Sequence, residues 1–214
     1  MPRGAQIMYP KDIAQVIQLG DIRTGMRVLE SGAGSGAMSL NLLDAVGPDG
    51  QVTTIELRPE FARVAEANAT LYYGARPQWW TLLVGDFDSR AAGLPEHWFD
   101  RIVLDMLDPW NRLDAAWRVL APGGVLTAYV TTTTQISRLA EALRESGHWT
   151  EPQILRFEAI GVPVLAALGW SYWNATIPHR PASWHRPPAR RAPAVHPAGD
   201  AAREDRTVQR ARRF

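Results

Sequence analysis

A chain of 214 residues, 46% hydrophobic and 21% charged, has room for one sizeable domain and a little more. Its lack of cysteine excludes disulfides and thiolate metal sites and suits a reducing, cytoplasmic setting. The net charge of +1 conceals a split: residues 178–214 hold nine arginines and three acids, +6, which leaves −5 on residues 1–177.

An acidic body with a basic end fits either a polyanionic partner or a solvated appendage. No run reaches the ~20 apolar residues of a membrane span. The nearest, Ile160 to Trp173, is interrupted by Pro163 and Gly169. The N-terminus has no apolar core of signal-peptide length.

Tyr9-Pro10-Lys11-Asp12 leads the amphipathic run Ile13, Val16, Ile17, with Asp12 placed to cap that helix. Residues 1–25 form this lead-in. The apolar run from Met26 predicts a strand over 26–31, followed by glycines at 32, 34 and 36 and a helix to Val46. Gly47-Pro48-Asp49-Gly50 is a turn, and Gln51–Glu56, rich in β-branched residues, is a second strand. Pro59 opens a helix that runs to Gly74. Trp80–Val84 is a third strand closed by Gly85-Asp86, and a partly helical connection leads to a fourth, Arg101–Asp105. Asp108-Pro109 starts a helix to Leu120, with Asp108 as its N-cap. Pro122-Gly123-Gly124 turns into strand Val125–Val130, and a helix covers about 134–145.

Five alternations of strand and helix predict an α/β fold, an open and mostly parallel Rossmann-like sheet with helices on both faces. Gln153–Phe157 and Leu165–Ala175 fit a closing antiparallel pair. The domain spans 26–177. From 178 to 214, Arg, Pro and Ala dominate without periodicity, which predicts a disordered basic tail.

Ligands of such sheets bind outside the strands' carboxyl ends. Gly32–Gly36, Glu56, Asp86 and Asp105 all fall on that edge. The spacing G-x-G-x-G with Glu30 just ahead is the form taken by S-adenosylmethionine (SAM) sites, not the dinucleotide G-x-G-x-x-G. Glu56 is placed to accept both ribose hydroxyls of an adenosine, and Asp86 the adenine amino group. Each has a plainer reading, as a solvated strand end and as a turn residue. Asp105 has none, since it precedes the Asp108 cap by a loop. The five histidines show no metal-ligand spacing, so no metal site is expected. Trp79, Trp80 and Trp110 read as packing residues.

The segments 4–12 (Gly-Ala-Gln-Ile-Met-Tyr-Pro-Lys-Asp), 28–36 (Val-Leu-Glu-Ser-Gly-Ala-Gly-Ser-Gly) and 104–110 (Leu-Asp-Met-Leu-Asp-Pro-Trp) closely resemble the tRNA (adenine-58-N1) methyltransferase family, notably its actinobacterial members. Residues 129–136 and 149–152 match as well, so the resemblance covers about 3–157. The glycine motif is shared by many SAM methyltransferases; Tyr-Pro-Lys-Asp with Leu-Asp-Met-x-x-Pro-Trp is the specific part.

The resemblance implies that Gly32, Ala33, Gly34, Ser35, Gly36 and Ala37, with Glu56, Phe61, Asp86 and Asp105, hold SAM. It also implies that Asp105 is the catalytic carboxylate and that Tyr9 shapes the pocket for the target adenine. The implied partners are tRNA and further copies of the chain in a homotetramer. Two departures from the family pattern are expected: the small β-rich domain that family members carry ahead of the position aligned with Met1, and the divergence of residues 158–214. Both bear on tRNA docking and assembly more than on SAM binding. Methylation of a small molecule or protein carboxylate, and a non-catalytic SAM-binding module, remain as alternative readings.

Overall fold

The computed structural model describes residues 8–159 and 162–170, with 156–159 and 162–170 as backbone. Seven strands form one sheet: β1 (Arg27–Ser31), β2 (Gln51–Glu56), β3 (Trp80–Val84), β4 (Phe99–Asp105), β5 (Leu120–Val130), β6 (Gln153–Ala159) and β7 (Val162–Trp170). Their order is β3-β2-β1-β4-β5-β7-β6. The first five are parallel, and β7 runs antiparallel to both β5 and β6. The order reverses between β1 and β4, so a cleft opens above their carboxyl ends.

Among the described residues α1 (Pro10–Leu19) precedes β1, and five helices connect the strands: α2 (Ala37–Val46), α3 (Pro59–Tyr73), α4 (Phe87–Ala92), α5 (Leu113–Val119) and α6 (Thr133–Ser146). Two apolar clusters show that both faces are covered. Leu29, Ile102, Leu104, Leu126 and Ala128 pack with α5 and α6 through Leu113, Ala116, Leu139 and Leu143. Val28, Val52, Val103 and Tyr129 pack with α1, α2 and α3 through Ile13, Val16, Leu42 and Ala65. Near-continuous apolar strands are what two buried faces require.

Four details differ from the sequence expectations. Asp12 does not cap α1: Tyr9 holds the N-cap position with Pro10 just inside, and Asp12 lies buried in the first turn. The helix predicted from Asp108 to Leu120 divides into a 3₁₀ turn, Pro109–Arg112, and α5. Asp108 holds the N-cap position of that turn, but its carboxylate accepts from Asn111 Nδ2 and Arg112 Nη2 and makes no capping bond to a backbone N–H. β5 begins at Leu120, not Val125, and the register jumps from Phe99↔Leu120 to Arg101↔Val125, which places Pro122-Gly123-Gly124 inside an irregular strand.

The closing hairpin forms as expected but β7 starts earlier, at Val162. Pro163 is tolerated because the ladder to β5 ends at Val130↔Leu165, so its missing N–H is not needed on that side. The proposed extension to Ala175, the segment 1–7 and the tail 178–214 lie outside the described residues. Within them no helix is long and apolar enough to cross a membrane.

α6 starts with a reciprocal cap: Thr132 Oγ1 accepts from Gln135 N at 3.2 Å, and Gln135 Oε1 accepts from Thr132 N at 3.1 Å. Gln135 Nε2 also reaches Leu107 O at 2.9 Å, tying the loop after β4 to the end of β5. Thr132→Ala is therefore expected to lower stability by about 1 kcal/mol, read as a reduced urea midpoint with an unchanged slope.

Candidate active site at the carboxyl edge of the sheet

The turn after β1 is built on three glycines with positive φ, 97° at Gly32, 52° at Gly34 and 84° at Gly36. Two of them are also close approaches. A Cβ on Gly32 would lie 2.0 Å from the Asp105 carbonyl oxygen, and one on Gly36 would lie 3.1 Å from Ala65 Cα. Only glycine meets both demands. Asn68 Nδ2 donates to Ser35 O at 2.8 Å, so α3 holds the turn from outside while β4 supports it from beneath.

Glu56 is buried at the end of β2 and reaches back to the turn. Its Oε2 accepts from Gly34 N at 3.0 Å and its Oε1 from Arg58 N at 2.9 Å. Each oxygen retains a second lone pair for a ligand hydroxyl. Phe61, in the first turn of α3, is half-buried beneath the Arg58 guanidinium, 3.8 Å from the ring centre. Asp86 stands exposed beside them, since Gly85 N bonds Glu56 O at 2.9 Å. It is the N-cap of α4, accepting from Ser89 N at 3.1 Å. That bond and the neighbouring Arg112 hold its carboxyl below the usual range, and its second oxygen faces away from the cap bond.

Glu30 is fully buried at 0% exposure. Its Oε2 accepts from Ser39 Oγ at 2.6 Å and Thr54 Oγ1 at 2.7 Å, and Thr54 in turn accepts from Trp80 Nε1 at 2.8 Å. Its Oε1 has no partner among the described residues. Burial outweighs the two hydroxyl donors and pushes this carboxyl up to about 7, with Asp105 and Glu56 adding repulsion.

Asp105, at the end of β4, is half-buried and accepts no side-chain hydrogen bond among the described residues. Burial first, then the Glu56 charge, raises it to about 6. Its register partner on β5 is Tyr129, and Tyr9 sits at the start of α1, 57% exposed at the rim. Thus the sheet brings the glycine turn, Glu56, Asp86 and Asp105 to one edge, with Phe61 and Tyr9 at its two ends.

Trp80 is buried, Trp79 donates to Leu43 O at 3.3 Å, and Trp110 packs under Arg138, so all three serve packing. Among the described residues no cluster of His, Asp and Glu is placed to hold a metal. Tyr129 enters the sequence reading only as the first residue of the matching segment 129–136, and the burial of Asp12 is not visible there; both placements depend on strand register and helix docking. Glu30 was visible only as the acid ahead of the glycines.

A glycine cradle for close backbone approach, a buried acceptor at the end of β2 and acids carrying oxygens unpartnered among the described residues fit a nucleoside bearing positive charge. The fold is that of Rossmann-like SAM-dependent methyltransferases. A Thermotoga maritima SAM-dependent O-methyltransferase superposes with TM-score 0.70 at 29% identity, over 78% of this chain and 67% of that one. The tRNA (m1A58) methyltransferase TrmI of Aquifex aeolicus superposes with TM-score 0.71 at 23% identity, over 80% and 72%.

The family model described as tRNA methyltransferase complex GCD14 subunit matches residues 1–159, and the chain belongs to that family. It is 34% identical over 178 residues to the Thermus thermophilus tRNA (adenine(58)-N(1))-methyltransferase TrmI, over 83% of this chain and 64% of that relative. It is also 34% identical to the Methanocaldococcus jannaschii tRNA (adenine(57)-N(1)/adenine(58)-N(1))-methyltransferase TrmI, over 70% and 60%. The chain thus spans less than two thirds of the length of these curated relatives.

The raised Glu30 carboxyl has a stability consequence. The folded chain holds this proton more tightly than the unfolded chain, so its contribution is greatest below about 4.5 and is lost as pH rises through about 7. The difference corresponds to about 3 kcal/mol. Glu30→Gln should therefore be more stable than wild type at pH 8, with the gap narrowing toward pH 5. Parallel urea titrations at the two pH values measure this; a gap independent of pH rules out a buried proton on Glu30.

Proposed function

We propose that this chain transfers the methyl group of SAM to N1 of adenine 58 in tRNA. The observation that carries the reading is Asp105: a half-buried carboxylate with no side-chain donor among the described residues, directly beneath the glycine turn, in a chain whose relatives bear the name tRNA (adenine(58)-N(1))-methyltransferase.

SAM, when bound, supplies an electrophilic methyl carbon on a sulfonium. The backbone of Gly32–Ala37 would hold its nucleoside, Glu56 would accept the ribose hydroxyls, and Phe61 and Asp86 would flank the adenine. Adenine N1 carries its own lone pair, so attack needs no base. What it needs is alignment with the methyl carbon. Asp105 provides this by accepting a hydrogen bond from the exocyclic amino group. The same carboxylate would stabilise the positive charge that the base acquires on methylation. The target adenine leaves its stack to reach the edge, and Tyr9 at the rim shapes the pocket that receives it. tRNA is the substrate, the enzyme works as a homo-oligomer, a tetramer by family resemblance, and it acts in the cytoplasm.

Asp105→Ala should lower kcat by ~10²–10³-fold, the usual cost of losing one electrostatic contact to a transition state, while SAM affinity changes little. Asp105→Asn, which keeps shape and an acceptor oxygen, should fall between. Because Asp105 acts as an acceptor in its ionised form, wild-type methylation should fall as pH drops through about 6 and level off above it. Single-turnover methylation of unmodified tRNA is the measurement, and full activity in Asp105→Ala ends this mechanism. Separately, Glu56→Ala should weaken SAM binding by ~1.5–3 kcal/mol in calorimetry; unchanged affinity removes Glu56 from the site.

A further inference from the structure

We infer that Gln135 is a positioning residue for Asp105: its side-chain amide clamps the chain just beyond β4 to the chain just beyond β5, and so fixes the strand end that carries the carboxylate. This rests on the tRNA-methylating reading given above.

Gln135 belongs to the matching segment 129–136, and the reaction as described gives it no part. The ladder between β4 and β5 ends at Asp105↔Tyr129. Beyond it the two chains part, one into the loop before the Pro109–Arg112 turn and the other into α6. Gln135 bridges them. Its Oε1 accepts from Thr131 N at 3.2 Å and Thr132 N at 3.1 Å, while its Nε2 donates to Leu107 O at 2.9 Å. Thr131 and Leu107 each lie two residues past the last ladder pair, so the amide forms one more rung, made of side chain instead of backbone. Its orientation is fixed by its partners. Two backbone N–H groups call for an acceptor, which turns the oxygen to them and the nitrogen to the Leu107 carbonyl.

Asp105 sits between contacts on both sides. Toward β1 its carbonyl oxygen lies where a Cβ on Gly32 would be only 2.0 Å away. Toward β5 it has the last backbone pair and then the Gln135 rung. The loop has other anchors, but they lie to either side of Leu107. Met106 packs against the apolar layer of α5 and α6, and the Asp108 carboxylate takes Asn111 Nδ2 and Arg112 Nη2. Leu107 itself is 81% exposed, so its side chain offers little packing to hold it. The hold comes through its carbonyl.

A cap alone does not call for this residue. Capping uses only Oε1, and a glutamate fills that role equally well. The amide adds a donor, and the donor goes to Leu107. Its effect should fall on rate, since a carboxylate that orients a base for in-line attack tolerates little displacement.

Gln135→Glu separates the two roles. It keeps an acceptor for Thr131 N and Thr132 N and puts an acid in the first turn of α6, where the helix dipole favours it. It also sets a second oxygen against the Leu107 carbonyl. The urea midpoint should hold or rise, SAM affinity in calorimetry should be retained, and kcat on unmodified tRNA should fall about tenfold, the scale of one hydrogen bond. KM for tRNA should change less than kcat. Thr132→Ala is the reciprocal control, since it loses the cap hydroxyl but keeps both backbone donors that orient Gln135. Its midpoint should fall while kcat stays at the wild-type value. Hydrogen exchange reads the clamp without tRNA: residues 106–111 should exchange faster in Gln135→Glu and at the wild-type rate in Thr132→Ala.

Wild-type kcat in Gln135→Glu, an equal loss of kcat in Thr132→Ala, or unchanged exchange in Gln135→Glu overturns the proposal. A wild-type chain that methylates no tRNA overturns the parent reading instead, and the exchange comparison still decides the clamp.

Discussion

At Gly32 the turn after β1 passes so close to the end of β4 that any side chain would meet the Asp105 carbonyl oxygen, at 2.0 Å from Cβ. The rest of the site depends on this approach. It joins the glycine turn to the Asp105 carboxylate without an intervening residue. On the proposed function, this one rigid junction would hold the two reacting partners within bonding range, which is where most of the rate advantage of positioning arises. Neighbouring contacts support the same junction. Gly36 against Ala65, Asn68 on Ser35 and Glu56 on Gly34 leave the turn little freedom of its own.

Around that junction the protein gathers carboxylates and withholds donors from them. Among the described residues Glu30 has one unpartnered oxygen and Asp105 has no side-chain donor, and both are held above the ordinary carboxylate range chiefly by burial. Such an arrangement costs stability as the acids ionise. A cationic ligand offsets that cost by bringing the missing charge. On the proposed function, the same acids would face a sulfonium before transfer and a methylated base after it, since the charge is conserved and only moves. Structural compensation lies elsewhere, in the apolar layers on both faces of the sheet and in the reciprocal cap of α6, which also ties down the loop beyond Asp105.

Much of this was legible in the chain itself. The five parallel strands and their helices follow from runs of β-branched and apolar residues broken by Gly, Pro and Asp. The glycine spacing marked the turn, because a backbone with φ of 97°, 52° and 84° at alternate residues admits almost nothing else. Strand-end acids marked the functional edge, because a parallel α/β sheet puts all its carboxyl ends on one side. Even the hairpin after α6 was readable, although Pro163 obscured its boundary.

Tertiary structure alone decided the remainder. The register Asp105↔Tyr129 set a phenol beside the key carboxylate, and parallel register leaves no local trace in sequence because its partners are distant in the chain. Asp12 read as a helix cap because its spacing to Ile13 and Val16 permits one; the docking of α1 across β4 and β5 buried it instead. Glu30 read as part of a motif, and only enclosure by Ser39, Thr54 and the strands beside it made it a proton-holding group. Local propensity and periodicity determine which elements form and which ends carry chemistry. The protonation and partners of those side chains depend on the dielectric and the donors that distant segments bring, and these exist only once the chain has packed.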